Sequence, residues 1–163
     1  MSISDFSLDF FSVKGKVALI TGGNTGLGQS YARALAKAGA NIFVISNMDD
    51  KGETQKLVEE TGAKYELMIG DLTKEGEPAK IVKACVDKFG TVDILINNAG
   101  MCINEPDVTK FTRKQWDPMI ALNLTAAFEM CHEVAKIMIP QKSGKIINIC
   151  SLFSYLGGQW SPA

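Results

Sequence analysis

The sequence predicts an α/β fold in which helices cover both faces of a doubly wound parallel sheet. The first observation is alternation: five short apolar runs of strand length are separated by segments with helical periodicity. The second is that these runs are continuous, as in strands that are buried on both faces of a parallel sheet. The third is that polar turns rich in glycine or asparagine follow the runs, where ligands bind in such sheets.

Composition and charge are those of a single ordinary domain. The 163 residues are 46% hydrophobic and 21% charged. A net charge of -1 without charge blocks predicts no binding to nucleic acid or to an anionic membrane. The four cysteines are scattered singly, which predicts buried free thiols, no disulfide and no metal site. Because there is neither a signal-peptide pattern nor a membrane-length apolar run, we expect a cytoplasmic protein.

The first part of the chain predicts four strands separated by three helices. Residues 1–14 form a polar and aromatic lead-in, and we place the domain at 15–163. The first of the intervening helices follows the glycine-rich turn, and the second spans Asp50–Thr61. The third begins near Pro78. A glycine stands at the expected C-terminal end of each helix: Gly39, Gly62 and Gly90. The predicted strands of the whole chain are Lys16–Ile20, Asn41–Ser46, Tyr65–Ile69, Val92–Ile96 and Lys145–Ile149.

The segment between the fourth and fifth strands predicts one long helix. Thr112–Gln115 has the pattern of a capping box. We expect the long helix to restart at Asp117–Pro118 and to extend to about Ile139, with apolar residues along one face. After the fifth strand, the sequence predicts a loop from Ser151 to Ala163.

A glycine-rich loop, Thr21–Gly28, follows the first strand and opens a helix. Glycines allow a tight turn and a close approach of the backbone to a ligand. The helix after the loop directs its N-terminal N–H groups at that ligand, which suits a pyrophosphate. The spacing is G-x-x-x-G-x-G rather than the G-x-G-x-x-G of the general dinucleotide fingerprint. The loop therefore predicts a dinucleotide site, and an ordinary turn between strand and helix is the alternative.

Five motifs in order make the chain resemble the short-chain dehydrogenase/reductase family from about Val13 onward. They are the glycine loop, Asp71, Asn97–Gly100, Asn123 and Ile147–Ser151. The resemblance implies a Rossmann-type sheet with the strand order 3-2-1-4-5. It also implies an NAD(P)-dependent oxidoreductase that interconverts a secondary alcohol and a ketone. The amino-acid sequences of the lead-in and of the glycine loop are most similar to those of the branch of gluconate 5-dehydrogenase and 2-deoxy-gluconate 3-dehydrogenase. This similarity implies a sugar acid or a similar small polyol as substrate.

The resemblance places the cofactor contacts at the ends of four strands. The glycine loop would hold the diphosphate, the end of the second strand the ribose hydroxyls, and Asp71 the adenine amino group. Because neither the loop nor the segment Ser46–Met48 contains Lys or Arg, we expect NAD rather than NADP. A plain turn is the alternative for Asp71 and for Asn97, which the family uses to tie neighbouring strands. The implied cofactor residues are Gly22, Asn24, Thr25, Gly26, Leu27, Gly28, Ser46, Asn47, Asp71, Leu72, Asn98, Ala99 and Gly100.

Ser151 and Asn123 are the catalytic residues that the resemblance implies. Ser151 would hydrogen-bond the substrate oxygen, and Asn123 would hold a water molecule in a proton relay. The alternatives are a loop serine that caps the sheet end, and an amide in mid-helix that is exposed or hydrogen-bonded locally. Cys150 is expected to be a bystander packed under the site. His132, the only histidine, is predicted to lie on the surface or in an interface.

The chain departs from the family at the acid/base motif Tyr-x-x-x-Lys, whose family position falls beyond Ala163. Tyr155 lies too close to Ser151 and has no lysine four residues further on. The fifth strand would also be an exposed apolar edge. We therefore expect a fragment that is inactive by itself, and a dinucleotide-binding sensor module is the alternative to an enzyme. The family commonly pairs its long helix across a two-fold axis, so the complete protein is expected to be a homodimer or homotetramer.

Overall fold

The sheet of the computed structural model, which describes residues 11–156, is parallel throughout. Its strands are β1 Val17–Thr21, β2 Asn41–Ser46, β3 Tyr65–Ile69, β4 Ile94–Asn97 and β5 Lys145–Asn148. The order is β3-β2-β1-β4-β5, which confirms the predicted 3-2-1-4-5. Strand order therefore reverses between β1 and β4, and ligands of such sheets bind at this switch point.

The helices of the described residues alternate with the strands. They are α1 Gly26–Lys37, α2 Glu53–Glu59, α3 Glu77–Phe89, α4 Arg113–Ile120, α5 Ala127–Gln141 and α6 Phe153–Leu156. A 3₁₀ turn at Val108–Lys110 precedes α4, and a π-helical segment, Ala121–Ala126, joins α4 to α5. No helix of residues 11–156 combines the length and apolar character needed to cross a membrane.

The core lies on both faces of the central strand β1, all of whose residues are buried. Val17 and Leu19 belong to a cluster that includes residues of α3 and α5. Ala18 and Ile20, on the opposite face, pack in a second cluster with residues of α1 and α2. Burial on both faces explains why the strand reads as a continuous apolar run rather than as an alternating one.

Helix α2 is shorter than the sequence predicts, because the backbone ahead of it is not helical. Lys51 and Gly52 have φ values of 58° and 82°, in the left-handed region. The Asp50 carboxylate lies outside the helix and accepts a hydrogen bond from the backbone N–H of Thr54 at 2.8 Å. The predicted start at Asp50 is therefore wrong, and Asp50 instead satisfies a donor of the first helical turn.

The helix begins at Arg113, directly after the predicted capping box, and the predicted restart at Asp117–Pro118 is wrong. The predicted capping box is present: Gln115 Oε1 accepts a hydrogen bond from the Thr112 N–H at 2.9 Å. Pro118 therefore lies inside α4 instead of starting a helix. Proline removes one backbone hydrogen bond from a helix interior, and the π-helical segment begins three residues later, at Ala121.

The end of the described chain differs from the predicted loop. One helical turn, α6, forms there because Ser151 O accepts from Ser154 N at 3.0 Å and Ser151 Oγ from Phe153 N at 3.2 Å. Strand β5 is exposed along its length, and Ile147 retains 46% exposure, as expected for an apolar edge.

The four cysteines differ more in burial than the sequence predicts. Cys85 is buried, which raises its pKa to about 12, so it is the inert thiol that we expected. Cys131 is half-buried, whereas Cys102 and Cys150 are exposed, and the prediction of buried thiols is wrong for these two. Cys150 is therefore not packed under the site.

The lead-in at residues 1–14 falls mostly outside the described residues. Its end contacts the fold, because Val13 N donates to Ala38 O at 3.0 Å. Phe6, Leu8 and Phe10, which the sequence suggests as docking side chains, lie outside the described range.

Candidate functional site

A cavity of about 710 Å³ lies at the C-terminal ends of β1, β2, β3 and β4. This volume is within the usual range for small-molecule sites. Loops after all four strands line the cavity, and α4 and the π-helical segment close one side of it. Twelve predicted cofactor residues line it: Gly22, Thr25, Gly26, Leu27, Gly28, Ser46, Asn47, Asp71, Leu72, Asn98, Ala99 and Gly100.

The glycine loop is packed so closely that Gly28 has no room for a side chain, and Gly22 has little. A Cβ atom on Gly28 would lie 2.1 Å from Gly22 O and 2.6 Å from Asn98 Nδ2. Gly22 has a φ of +61°, and a Cβ there would lie 3.3 Å from the Ala99 backbone. Glycine is thus required at position 28 by the contact with the backbone, and it is favoured at position 22 by the left-handed φ.

The N-terminus of α1 faces the cavity through Gly26, Leu27 and Gly28. The Thr25 side chain at the N-cap makes no capping hydrogen bond in the described part of the chain, and the first turn has no acidic residue. The N–H groups and the positive end of the helix dipole are therefore available to an anion. This arrangement suits a diphosphate.

Thr21 and Asn98 fasten the glycine loop to the end of β4. Thr21 Oγ1 accepts hydrogen bonds of 2.9 Å from the backbone N–H groups of both Asn98 and Ala99. Asn98 Nδ2 donates to Thr21 O at 3.0 Å and to Gly22 O at 3.1 Å. We did not assign Thr21 a role from the sequence, although a hydroxyl directly after a buried apolar strand is a usable signal. Asn98 acts on the cavity wall through this clamp.

The end of β2 supplies a neutral polar edge of the cavity through Ser46, Asn47 and Met48. Ser46 Oγ accepts a hydrogen bond of 3.3 Å from Met48 N. Asn24, which we predicted to contact the cofactor, does not line the cavity: it is buried, and its Nδ2 donates to Met48 O at 2.7 Å. Among the residues that line the cavity, none is Lys or Arg.

Asp71 lines the cavity and also forms a turn of its own. Its Oδ1 accepts from the Thr73 hydroxyl at 2.7 Å and from the Thr73 N–H at 3.0 Å. These two bonds, together with the charge of Lys74, hold the pKa of Asp71 below its ordinary value. Asp71 therefore presents a carboxylate at neutral pH, and Leu72 beside it is buried.

Asn97 ties two neighbouring strands, as the resemblance implies. Its Nδ2 donates to Asn148 Oδ1 on β5 at 2.8 Å and to Cys131 Sγ on α5 at 3.2 Å. Its Oδ1 is buried without a partner among the described residues. Asn97 thus joins β4, β5 and α5 behind the cavity rather than lining it.

Asn123 lies in the π-helical segment and forms two hydrogen bonds with the loop after β4. Its Nδ2 donates to Met101 O at 2.8 Å, and its Oδ1 accepts from Met101 N at 2.9 Å. The partner is 22 residues away in the chain, so the local hydrogen bond of the alternative does not form, whereas Asn123 is exposed, as the other half of that alternative has it. π-Helical segments are rare in proteins, and those that occur are frequently found at functional sites. Here the segment presents Asn123 to the backbone beside Gly100.

Ser151 is exposed and is not among the residues that line the cavity. Its Oγ accepts the hydrogen bond from Phe153 N that begins α6, so the hydroxyl caps a helical turn rather than the end of the sheet. Tyr155 on the same turn is 90% exposed. His132 is also exposed, as predicted, and its ring stacks on Phe128 with the centroids 6.2 Å apart.

Part of the cavity wall was not predicted from the sequence. This wall is mostly apolar, and apolar residues in a helix or loop give no local sign of lining a site rather than a core. The additional lining residues are Ile45, Met48, Gly70, Thr73, Met101, Pro118, Ala121 and Leu122.

The parallel sheet, its switch point and the glycine loop define a Rossmann-type α/β protein. Within that class, the sequence profile of the short chain dehydrogenase family matches residues 16–163. The chain belongs to this family.

Two curated relatives are similar over nearly the whole chain. One is the Escherichia coli K12 protein named uncharacterized oxidoreductase YgcW, 64% identical over 99% of this chain and 62% of that protein. The other is 2-dehydro-3-deoxy-D-gluconate 5-dehydrogenase of Escherichia coli K12, 44% identical over 96% of this chain and 61% of that protein. The chain thus spans about six-tenths of the length of these relatives.

Solved structures with the same fold differ in their cofactors. A xylitol dehydrogenase with bound NAD+ matches with a TM-score of 0.84 and 29% identity, over 89% of this chain and 56% of that chain. An NADPH-dependent 3-quinuclidinone reductase from Rhodotorula rubra matches with a TM-score of 0.85 and 28% identity, over 93% and 58%. The family therefore includes users of both nicotinamide cofactors.

Proposed function

We propose that the cavity binds a nicotinamide dinucleotide and that the protein is an NAD(P)-dependent oxidoreductase. It would interconvert a secondary alcohol and a ketone on a sugar acid or a similar small polyol. The observation that carries the proposal is the uncapped N-terminus of α1, which faces a 710 Å³ cavity at the switch point of the sheet. Reduction of NAD+ by a panel of sugar acids, followed by the absorbance of the reduced nicotinamide, tests it.

The residues around the cavity fit the parts of a dinucleotide. Gly22, Gly26 and Gly28 leave space for the diphosphate against the helix N-terminus. The Asp71 carboxylate is an acceptor for the adenine amino group, and Leu72 provides an apolar surface beside it. The wall at Ala99 and Gly100 has no bulky side chain, which leaves room for a ribose.

The chemistry divides between the cofactor and the protein. When bound, the dinucleotide supplies the hydride acceptor or donor. Ser151 would donate a hydrogen bond to the substrate oxygen and so favour the charge that develops there. Asn123 would hold the loop around Met101 in place and order a water molecule that carries the proton. The sugar-acid substrate is supported by the relative named 2-dehydro-3-deoxy-D-gluconate 5-dehydrogenase.

A second candidate is a dinucleotide sensor without turnover. It is favoured by the position of Ser151, which is exposed and does not line the cavity. Ser151 and Asn123 favour the enzyme, since a sensor requires neither. Cofactor binding without turnover on any alcohol or ketone would support the sensor.

NAD is the cofactor that the polar edge of the cavity favours. Ser46 and Asn47 are neutral, so neither offers a cation to a 2′-phosphate, and Asp49 and Asp50 follow closely in the chain. We expect NADH to bind about tenfold more tightly than NADPH, since one charge-assisted hydrogen bond is missing for the latter. Paired fluorescence titrations measure the two dissociation constants. Asn47→Arg should reverse the order, and tighter NADPH binding by the unsubstituted protein would refute the assignment.

We also propose that the protein assembles through an exposed stripe on the long helix, Leu124, Phe128, His132 and Ile139. Phe128 and Ile139 are 67% and 73% exposed. Light scattering of the intact protein should give a dimer or tetramer, and Phe128→Glu should lower the mass because it places a charge in an apolar contact. Val108→Glu, at an equally exposed apolar residue outside the stripe, is the control. A monomer at micromolar concentration would contradict this proposal.

A further inference from the structure

Asn24 belongs to the glycine loop, but its side chain bonds to a different loop. The residue is only 1% exposed and does not line the cavity. Its Nδ2 donates a hydrogen bond of 2.7 Å to the carbonyl oxygen of Met48, which follows β2. The amide thus joins the loop that faces the diphosphate position to the segment that faces the ribose position.

A second buried contact joins the glycine loop to the start of α2. The hydroxyl of Thr54, at the start of α2, donates to Asn24 O at 3.3 Å and accepts from Gln29 Nε2 of α1 at 3.0 Å. Thr54 is fully buried, and its N–H is held by the Asp50 carboxylate. Burial acts to raise the pKa of Asp50, but the hydrogen bonds from Thr54 and Gly52 outweigh it and leave that pKa below its ordinary value.

The other end of the Asn24 amide argues that the residue does more than fill space. Asn24 Oδ1 is buried and has no hydrogen-bond partner within the described residues. A buried polar atom without a partner destabilises a fold, and an apolar side chain of similar volume avoids that penalty. Fold stability therefore does not account for an amide here, whereas the bond to Met48 does.

The bond to Met48 fixes the neighbour that faces the cavity. Met48 is held on its N–H by Ser46 Oγ and on its carbonyl by Asn24. Asn47 lies between these anchored residues and lines the cavity. Within residues 11–156 its side chain forms no hydrogen bond. We propose that Asn24 is a positioning residue that holds Asn47 at the adenosine-ribose end of the cavity. This inference rests on the proposed dinucleotide function.

The test separates binding from stability. Asn24→Leu keeps the number of side-chain heavy atoms and removes both the tie and the orphaned oxygen, and a cooperative thermal transition must show that the variant folds. The dissociation constants for NADH and for ADP-ribose should nevertheless increase about tenfold, the factor that one ordinary hydrogen bond supplies. Affinity for nicotinamide mononucleotide, which lacks the adenosine half, should not change. If Asn24→Leu does not fold, Asn24→Asp keeps the shape and replaces the donor by an acceptor.

Asn41→Ala is the matched control, because Asn41 Oδ1 accepts from Lys64 N at 3.0 Å at the opposite end of β2. It should leave all three affinities within about twofold, since the contact lies away from the cavity. Unchanged ADP-ribose binding by both Asn24 variants, or equal losses for ADP-ribose and the mononucleotide, would overturn the inference.

Hydrogen exchange without any ligand keeps the inference separate from the proposed function. Backbone amides of residues 46–52 should exchange faster in Asn24→Leu than in the unsubstituted protein or in Asn41→Ala. A faster exchange together with absent NADH binding would refute the dinucleotide function while leaving the tie between the loops intact. An unchanged exchange rate would refute the tie.

Discussion

Gly28→Val should abolish cofactor binding while leaving the rest of the fold in place. The added Cβ would lie 2.1 Å from the Gly22 carbonyl oxygen, and that backbone atom cannot move without opening the glycine loop. Asn98 Nδ2, 2.6 Å from the same point, would be pushed from its bonds to Thr21 and Gly22. Displacements of this kind cost several kcal/mol, so we expect at least about a 100-fold loss of NADH affinity.

Ala34→Val is the control for this substitution. It adds a β-branched side chain to the same helix at an exposed position away from the cavity. Its NADH affinity should remain within about twofold of the unsubstituted protein, because the small loss of helix propensity does not reach the loop. Circular dichroism of Gly28→Val must show a folded protein. Unchanged enhancement of NADH fluorescence in that folded variant would remove the glycine loop from the site.

Ser151→Ala in the intact protein should keep NADH binding and lose most of the turnover. The serine lies outside the cavity lining, so removing its hydroxyl leaves the dinucleotide contacts untouched. If Ser151 Oγ donates to the substrate oxygen in the transition state, its loss should lower kcat by about 10²–10³, the usual effect of one such donor. Equal dissociation constants for NADH with a reduced kcat would support this role.

The 163-residue chain alone should show no measurable turnover. Within this sequence no tyrosine and lysine stand four residues apart, so the serine has no positioned acid of the family's type. A positioned acid or base typically contributes about 10²–10⁴ in rate. In the intact protein, Ser154→Ala is the control for Ser151→Ala, because Ser154 lies on the same exposed turn. This control variant should retain the turnover rate of the unsubstituted protein. Robust turnover by the 163-residue chain would overturn this expectation.

Strands β1 and β2 were predictable because burial on both faces leaves a plain signal. The bounds of β2 and β3 were predicted to the residue, since polar residues or glycine mark where each strand begins and ends. The start of α2 was not predicted correctly. Lysine rarely adopts the left-handed backbone conformation that Lys51 has, so the residue type gave no sign of it. The π-helical segment around Asn123 also escaped prediction, since its apolar spacing resembles that of an ordinary helix.

The site was predictable where its chemistry is carried by glycine or by the ends of strands. Gly28 and Asn98 both line the cavity, as their motifs predict. The structure adds that a Cβ atom on Gly28 would lie only 2.6 Å from Asn98 Nδ2. Asn24 was placed at the cofactor because position in a loop does not reveal which way a side chain points. Met101 and Pro118 were missed because their distance in sequence from the glycine loop hides their proximity in the fold.

The central claim is oxidation and reduction of a sugar acid with a nicotinamide dinucleotide at this cavity. The most direct measurement follows the absorbance of reduced nicotinamide when the intact protein is mixed with NAD+ and a panel of hydroxy sugar acids, and with NADH and the matching keto acids. The account predicts saturable turnover in both directions on at least one pair, abolished by Gly28→Val and retained by Ala34→Val. A folded protein that binds NADH but turns over none of the panel, or that binds neither cofactor, would contradict it.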